Sequence, residues 1–143
     1  MRIETDSDYY YDTLNIYERI RLELLEKYKS LYSASLIFGM SEAYFYQTNC
    51  IGTVNKLLRI CKEMNIDFDW AITGKNNHHQ FIPRELDFNK LISVYEEHKY
   101  SGRTSNSVKS IISGLRTKVK KNIKIATLLY LADMFKVSPV DII

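Results

Sequence analysis

Between Glu97 and Asp133 the sequence carries no acidic residue, yet Lys99, Arg103, Lys109, Arg116, Lys118, Lys120, Lys121 and Lys124 all fall there. Cations gathered without counter-charge suit a polyanion, because each phosphate they neutralise releases condensed counterions. The plain alternative is a solvated basic face. Lysines at 118–124 would track a phosphate backbone and fix position without carrying sequence information. A helix starting at Ser105 would bury Val108, Ile111, Ile112, Leu115 and, at its end, Val119. Its exposed face would then present Asn106, Lys109, Ser110 and Arg116.

Other chemistries find little to stand on. There is no phosphate-binding glycine-rich loop, no Cys/His cluster with metal-ligand spacing and no serine nucleophile in a recognisable turn. No catalytic, metal or cofactor site is expected. Cys50 and Cys61 are too few and wrongly spaced for zinc, and Cys61 sits at an apolar helix position, so both read as free thiols. His78 and His79 are adjacent, which aims their rings apart in an extended segment, and no further ligands lie near them in sequence. Asp133 and Asp141 fall near a helix end and a helix start, where capping and solvation explain them.

At 143 residues and 45% hydrophobic content the chain can bury a core, as one ordinary domain or two very small ones. No apolar run approaches the length of a membrane span, and the N-terminus MRIETDSDYYYD lacks a signal-peptide layout, so a cytoplasmic protein is expected. Residues 1–75 carry a net charge of −2 and residues 76–143 a net +5, making the second half the basic one. The stretch TDSDYYYD reads as an acidic tail, although its three tyrosines could equally pack on a partner. KNNHHQFIPRELD, with its turn formers and Pro83, reads as a connection between two units.

Those units are suggested by an internal repeat. An offset of 71 residues places Val54, Leu57, Leu58, Cys61, Met64 and Ile66 on Ile125, Leu128, Leu129, Ala132, Phe135 and Val137, all apolar. The first set recurs at helical spacing. Asn65 can close that helix in the left-handed conformation, Asp67 can cap a short following helix and Gly74 can end it. In the second copy Ser138 suits an N-cap and Pro139 the first helical position. Each copy should therefore end as a long helix, a tight turn and a very short helix, with Leu58 and Leu129 buried equivalently. Upstream, Tyr17, Ile20, Leu24, Tyr28 and Leu31 form an apolar stripe. A short segment from Ser33 to Phe38, a turn at Gly39 and a helix from Glu42 to Gln47 capped by Ser41 should follow. In the second half Phe88, Leu91, Ile92 and Tyr95 form a stripe, after which HKYSGRTSNS reads as a polar turn.

FGMSEAYFYQ followed by NKLLRICKEMNIDFDWAITGK resembles the N-terminal DNA-binding domain of phage CI-type repressors, within the lambda-repressor-like helix-turn-helix class. Its most specific part is ICKEMNIDFDWAITG, where Cys61, Asp69, Trp70, Thr73 and Gly74 match residues common in that family. The resemblance covers roughly residues 14–76 and implies a five-helix bundle whose third helix, Glu42 to Thr48, would be the recognition helix. There Gln47 and Asn49 could read adenine, because amides donate and accept in the major groove. Glu42 repels phosphate, however, and Tyr44, Phe45 and Tyr46 are bulky, so Tyr44 and Tyr46 could instead form a protein interface. SNSVKSIISGLRTK resembles the recognition helix of the broader class, with Ser105, Asn106 and Ser107 standing where phosphate and base contacts would be made.

The sequence thus predicts an all-α chain of two tandem small helix-turn-helix-like bundles: a mobile acidic tail over 1–13, a helix-turn-helix domain resembling the CI-type repressors over 14–76, a linker over 77–86 and a second, degenerate helix-turn-helix-like domain over 87–143. The expected function is sequence-specific binding of double-stranded DNA by a transcriptional regulator of phage or bacterial type. A homodimer is expected, since operators of this class are commonly palindromic. The competing expectation is an adaptor or anti-repressor that keeps the fold and binds another regulatory protein.

Overall fold

The apolar stripes fold as helices in a computed structural model that describes residues 12–47, 50–75, 80–98, 106–117 and 122–143. In order these are α1 (Thr13–Tyr28), α2 (Leu31–Ile37), α3 (Val54–Met64), α4 (Phe68–Thr73), α5 (Asn89–His98), α6 (Asn106–Arg116) and α7 (Ile125–Phe135). Among the described residues two 3-10 turns, Tyr44–Tyr46 and Pro139–Asp141, accompany them. The fold is all-α: among the described residues the one extended pairing is an isolated antiparallel bridge between Thr53 and Lys124.

Local chemistry sets the breaks. Asp12 accepts a hydrogen bond from the Leu14 backbone N–H and caps α1, so the first helix opens at Thr13, one residue earlier than the expected boundary. The stripe expected to run to Leu31 stops at Tyr28. Lys29 turns left-handed, and Ser30, whose hydroxyl accepts from Ser33 N–H, starts α2 with Leu31 as its first residue. Gly39, at φ 75°, then reverses the chain at no steric cost.

The repeat is reproduced in its long helices and in the bonds that close them, at the 71-residue offset. α3 and α7 both span 11 residues. Each ends in a left-handed residue, Asn65 at φ 55°, ψ 48° and Lys136 at φ 57°, ψ 48°. Ile66 N–H donates to Cys61 O, and Val137 N–H to Ala132 O, each over 3.0 Å, the same closing bond in both copies. Asp67 caps α4 through Trp70 N–H, and Gly74 closes it. Ser138 and Pro139 occupy the predicted places, but the Ser138 hydroxyl makes no capping bond, and the second short helix is a single 3-10 turn.

The two copies also pair with each other. Val54 N–H donates to Ile123 O at 2.9 Å and Ile125 N–H to Gly52 O at 2.8 Å, so the bridge joins positions equivalent under the repeat by bonds related by a local two-fold. α4 packs on its own counterpart, Pro139–Asp141, while α7 lies against both α1 and α5. Buried side chains from both halves form one cluster, from Ile16 through Leu57 and Phe68 to Leu91, Leu128 and Ile143. Leu129 on α7 is buried at 6% exposure, whereas its equivalent Leu58 on α3 is only partly covered, so the two are not buried alike. Leu58 faces the connection, where it lines an open hollow with Phe81 and Pro83.

That connection is strapped to the fold over its described part. Phe81 N–H donates to Asn65 Oδ1, Phe81 and Leu86 pack on the core, and Asp87 N–H donates to Ile143 O. Arg84 is its main clasp. Its guanidinium bonds both the Asp69 carboxylate and Val140 O, and lies 5.6 Å from the Phe68 ring centroid, joining α4 to the turn of the other copy. Burial pushes the Asp69 carboxyl above its ordinary value of 3.8, and Arg84 opposes that rise. A raised folded value means that acidification favours the folded state through this group as pH falls toward 3.8. Removing Arg84 leaves the charged carboxylate without its cation, so Arg84→Ala should cost about 2 kcal/mol near pH 7. The deficit should shrink, though not vanish, as Asp69 protonates, because the Val140 and Phe68 contacts stay lost. Urea unfolding of parent and variant at neutral and acid pH checks this, and a pH-independent deficit would remove Asp69 from the account.

Candidate nucleic-acid interface

The segment expected to be the first unit's recognition helix is a 3-10 turn, Tyr44–Tyr46, and the reason lies in its hydrogen bonds. Phe45 is buried, and both of its backbone polar groups are taken by side chains. Its N–H donates to Ser35 Oγ at 3.2 Å, and its carbonyl accepts from the Tyr17 hydroxyl at 2.7 Å. An α-helix would need those same groups for its own ladder. Ser41 contributes its carbonyl to Tyr44 N–H, and its hydroxyl caps nothing in the turn. Ser35 is fully buried and also donates to Leu31 O at 2.7 Å. Ser35→Ala should cost about 1–3 kcal/mol by orphaning Phe45 N–H. Thermal unfolding tests it, and an unchanged midpoint would mean that the turn does not depend on this bond.

The two tyrosines of this turn part company. Tyr44 is half-buried, donates its hydroxyl to Cys50 O at 2.8 Å and lies under Lys56 Nζ, 4.9 Å from the ring centroid. Tyr46 is 58% exposed, and beside it Gln47 is exposed in extended backbone. Asn49 lies outside the described residues.

In the second half of the chain α6 behaves as its periodicity demands. Val108, Ile112 and Leu115 are buried and Ile111 is partly covered. The outward face presents Asn106, Lys109, Ser110, Ser113, Arg116 and Thr117, all exposed and none acidic. Arg116 is paired with Glu96 on α5, so reaching a base edge would require breaking that pair. Ser107 lies on α6, but its side chain falls outside the described set, as do Arg103, Ser105, Lys118, Lys120 and Lys121. Lys124 is exposed at the inter-copy bridge, where Asn122 Oδ1 also accepts from Asn55 N–H at 3.0 Å. The chain leaving the lysine-rich segment is thereby tied to the start of α3.

That contact brings in residues the sequence reading passed over. Lys56, Arg59 and Lys62 recur every three residues on α3 and are all exposed. The signal was present in KLLRICK, but the acidic balance of the first half concealed it. α3 thus adds a basic ridge to the exposed cation at Lys124.

Burial pushes the Cys50 thiol up to about 11, and the fully buried Cys61 thiol is also raised; both are free. Among the described residues no three His, Cys, Asp or Glu side chains gather as metal ligands would, and no helix is long and apolar enough to cross a membrane. His78 and His79 lie outside the described residues, and Asp133 pairs with Lys136 at 3.6 Å. No family model, curated protein or solved structure matches the chain.

Proposed function

We propose that the chain is a sequence-specific DNA-binding transcriptional regulator of the phage or bacterial repressor type, built from two tandem helix-turn-helix-like units. The observation that carries this reading is α6: one face is sunk in the core while the other offers amide, hydroxyl and cationic groups with no carboxylate among them. At 11 residues this helix is about 16 Å long, enough to lie in a major groove. Lys109 and Lys124 supply phosphate contacts, joined by the lysines of 118–121, while Asn106 and Ser110 stand as base-edge or sugar contacts. At the inter-copy bridge two backbone bonds are exchanged between equivalent positions, a local form of the two-fold relation that DNA-binding dimers obtain by pairing subunits.

Selection from random duplexes at a stated salt concentration is the direct test. Enrichment of one sequence supports the reading, and failure to retain any duplex at low salt defeats it. A second reading, a protein-binding adaptor or anti-repressor, has its own support on α2. Tyr32, Leu36 and Ile37 are 46%, 47% and 63% exposed, an apolar face that suits another protein or a second copy. The same selection separates the two, since the adaptor reading expects no duplex retention.

A further inference from the structure

The exposed ridge Lys56, Arg59 and Lys62 has no carboxylate within ion-pair distance among the described residues. Hollows flank it on both sides. One of about 250 Å³ is walled by Phe38, Met40, Tyr44 and Phe45, and one of about 520 Å³ by Leu58, Phe81 and Pro83; Asn55 and Arg59 border both. Cations along a ridge with aromatic walls beside it call for an acidic segment carrying aromatic side chains.

The chain contains such a segment. Residues 1–11 hold Glu4, Asp6 and Asp8 against Arg2, followed by Tyr9, Tyr10 and Tyr11. Carboxylates at alternate positions would fall on one side of an extended strand. Their place in the fold also suits. Tyr17, in the second turn of α1, donates its hydroxyl to the carbonyl of Phe45, a residue that walls the aromatic hollow, so the N-terminal part of α1 is anchored beside that hollow. From Asp12 back to Glu4 an extended chain spans up to roughly 28 Å, against about 9 Å from Lys56 to Lys62 along α3.

We propose that the outer face of α3 is the docking surface for residues 1–11 of the same chain, with the tyrosines beside Phe38 and Tyr44 and the carboxylates along Lys56, Arg59 and Lys62. The docked segment covers cations that a phosphate backbone would otherwise take, but the contact does not depend on the DNA reading.

The test uses the full chain. Both native thiols are buried and poorly ionised at neutral pH, so a Ser7→Cys variant can be labelled selectively with a nitroxide. Amide signals of Lys56, Arg59 and Lys62 should lose intensity relative to the reduced label, and those of α5 and α6 should not. Neutralising the tail by Glu4→Gln, Asp6→Asn and Asp8→Asn, which leaves the core untouched, should restore the intensity, as should Arg59→Glu. No loss at α3, or a loss that survives both charge changes, overturns the proposal. If added duplex shifts the α3 signals while the label never reached them, the ridge serves phosphate and the tail proposal falls alone. Loss at α3 in a protein that retains no duplex keeps this inference and removes the DNA reading.

Discussion

Leu57→Ala and Leu128→Ala should each destabilise the protein by about 2–5 kcal/mol, and each should lower the same unfolding transition. Both side chains are fully buried, at positions equivalent under the repeat, and both belong to one continuous cluster. The size of the effect follows from removing most of an aliphatic side chain in a packed environment that relaxes only partly around the cavity. The shared transition follows from how the halves meet. α7 packs on α1 as well as α5, α4 on Pro139–Asp141, and Arg84 bonds across both copies. Trp70, the single tryptophan, reports from the first half, while Leu128 lies in the second. Fluorescence and far-ultraviolet circular dichroism should therefore trace coincident urea curves, shifted together by Leu128→Ala. If that variant leaves the Trp70 transition in place, the halves unfold independently and the common core is not the stabilising unit.

Asn106→Ala should weaken binding to a selected duplex by about 1–3 kcal/mol, roughly 5- to 150-fold, and weaken binding to a scrambled duplex far less. Lys109→Ala combined with Lys124→Ala should behave in the opposite way. Both side chains are exposed, and neither offers the paired donor and acceptor of an amide. Their loss should flatten the slope of log affinity against log salt by roughly 0.9 per phosphate contact and weaken both duplexes alike. Salt titrations of the two variants on the two duplexes make the comparison. Equal losses from Asn106→Ala on both would strip α6 of its base-reading role, and an unchanged salt slope in the double lysine variant would remove those residues from the phosphate interface.

Much of the fold was legible because it is written in short-range chemistry. The i, i+3, i+4, i+7 recurrence from Val54 to Met64, the left-handed tolerance of Asn65, the cap of Asp67 and the stop at Gly74 each act within a few residues. α3, α4 and their copies stand where those signals put them. So does the face of α6 that carries Asn106, Lys109 and Ser110. The left-handed turn at Lys136 was less visible, since lysine has no special tolerance for that conformation, which costs an ordinary residue roughly 1–2 kcal/mol. The ridge of α3 was readable as a three-residue recurrence and was masked only by summing charge over the half-chain.

By itself the sequence determined an all-α chain, a repeat with a register of 71 residues and an acid-free segment in its second half, because periodicity, caps and charge are properties of neighbouring residues. Tertiary structure alone decided that the two copies pair across Thr53 and Lys124, that the connection is clasped through Arg84, and that Tyr44–Tyr46 is a 3-10 turn. In each case the deciding bond spans a long stretch of chain: Tyr17 and Ser35 claim the carbonyl and N–H of Phe45, Val54 takes Ile123, and Arg84 reaches Val140. Local pattern cannot announce such bonds, since their partners become neighbours only after the helices have packed.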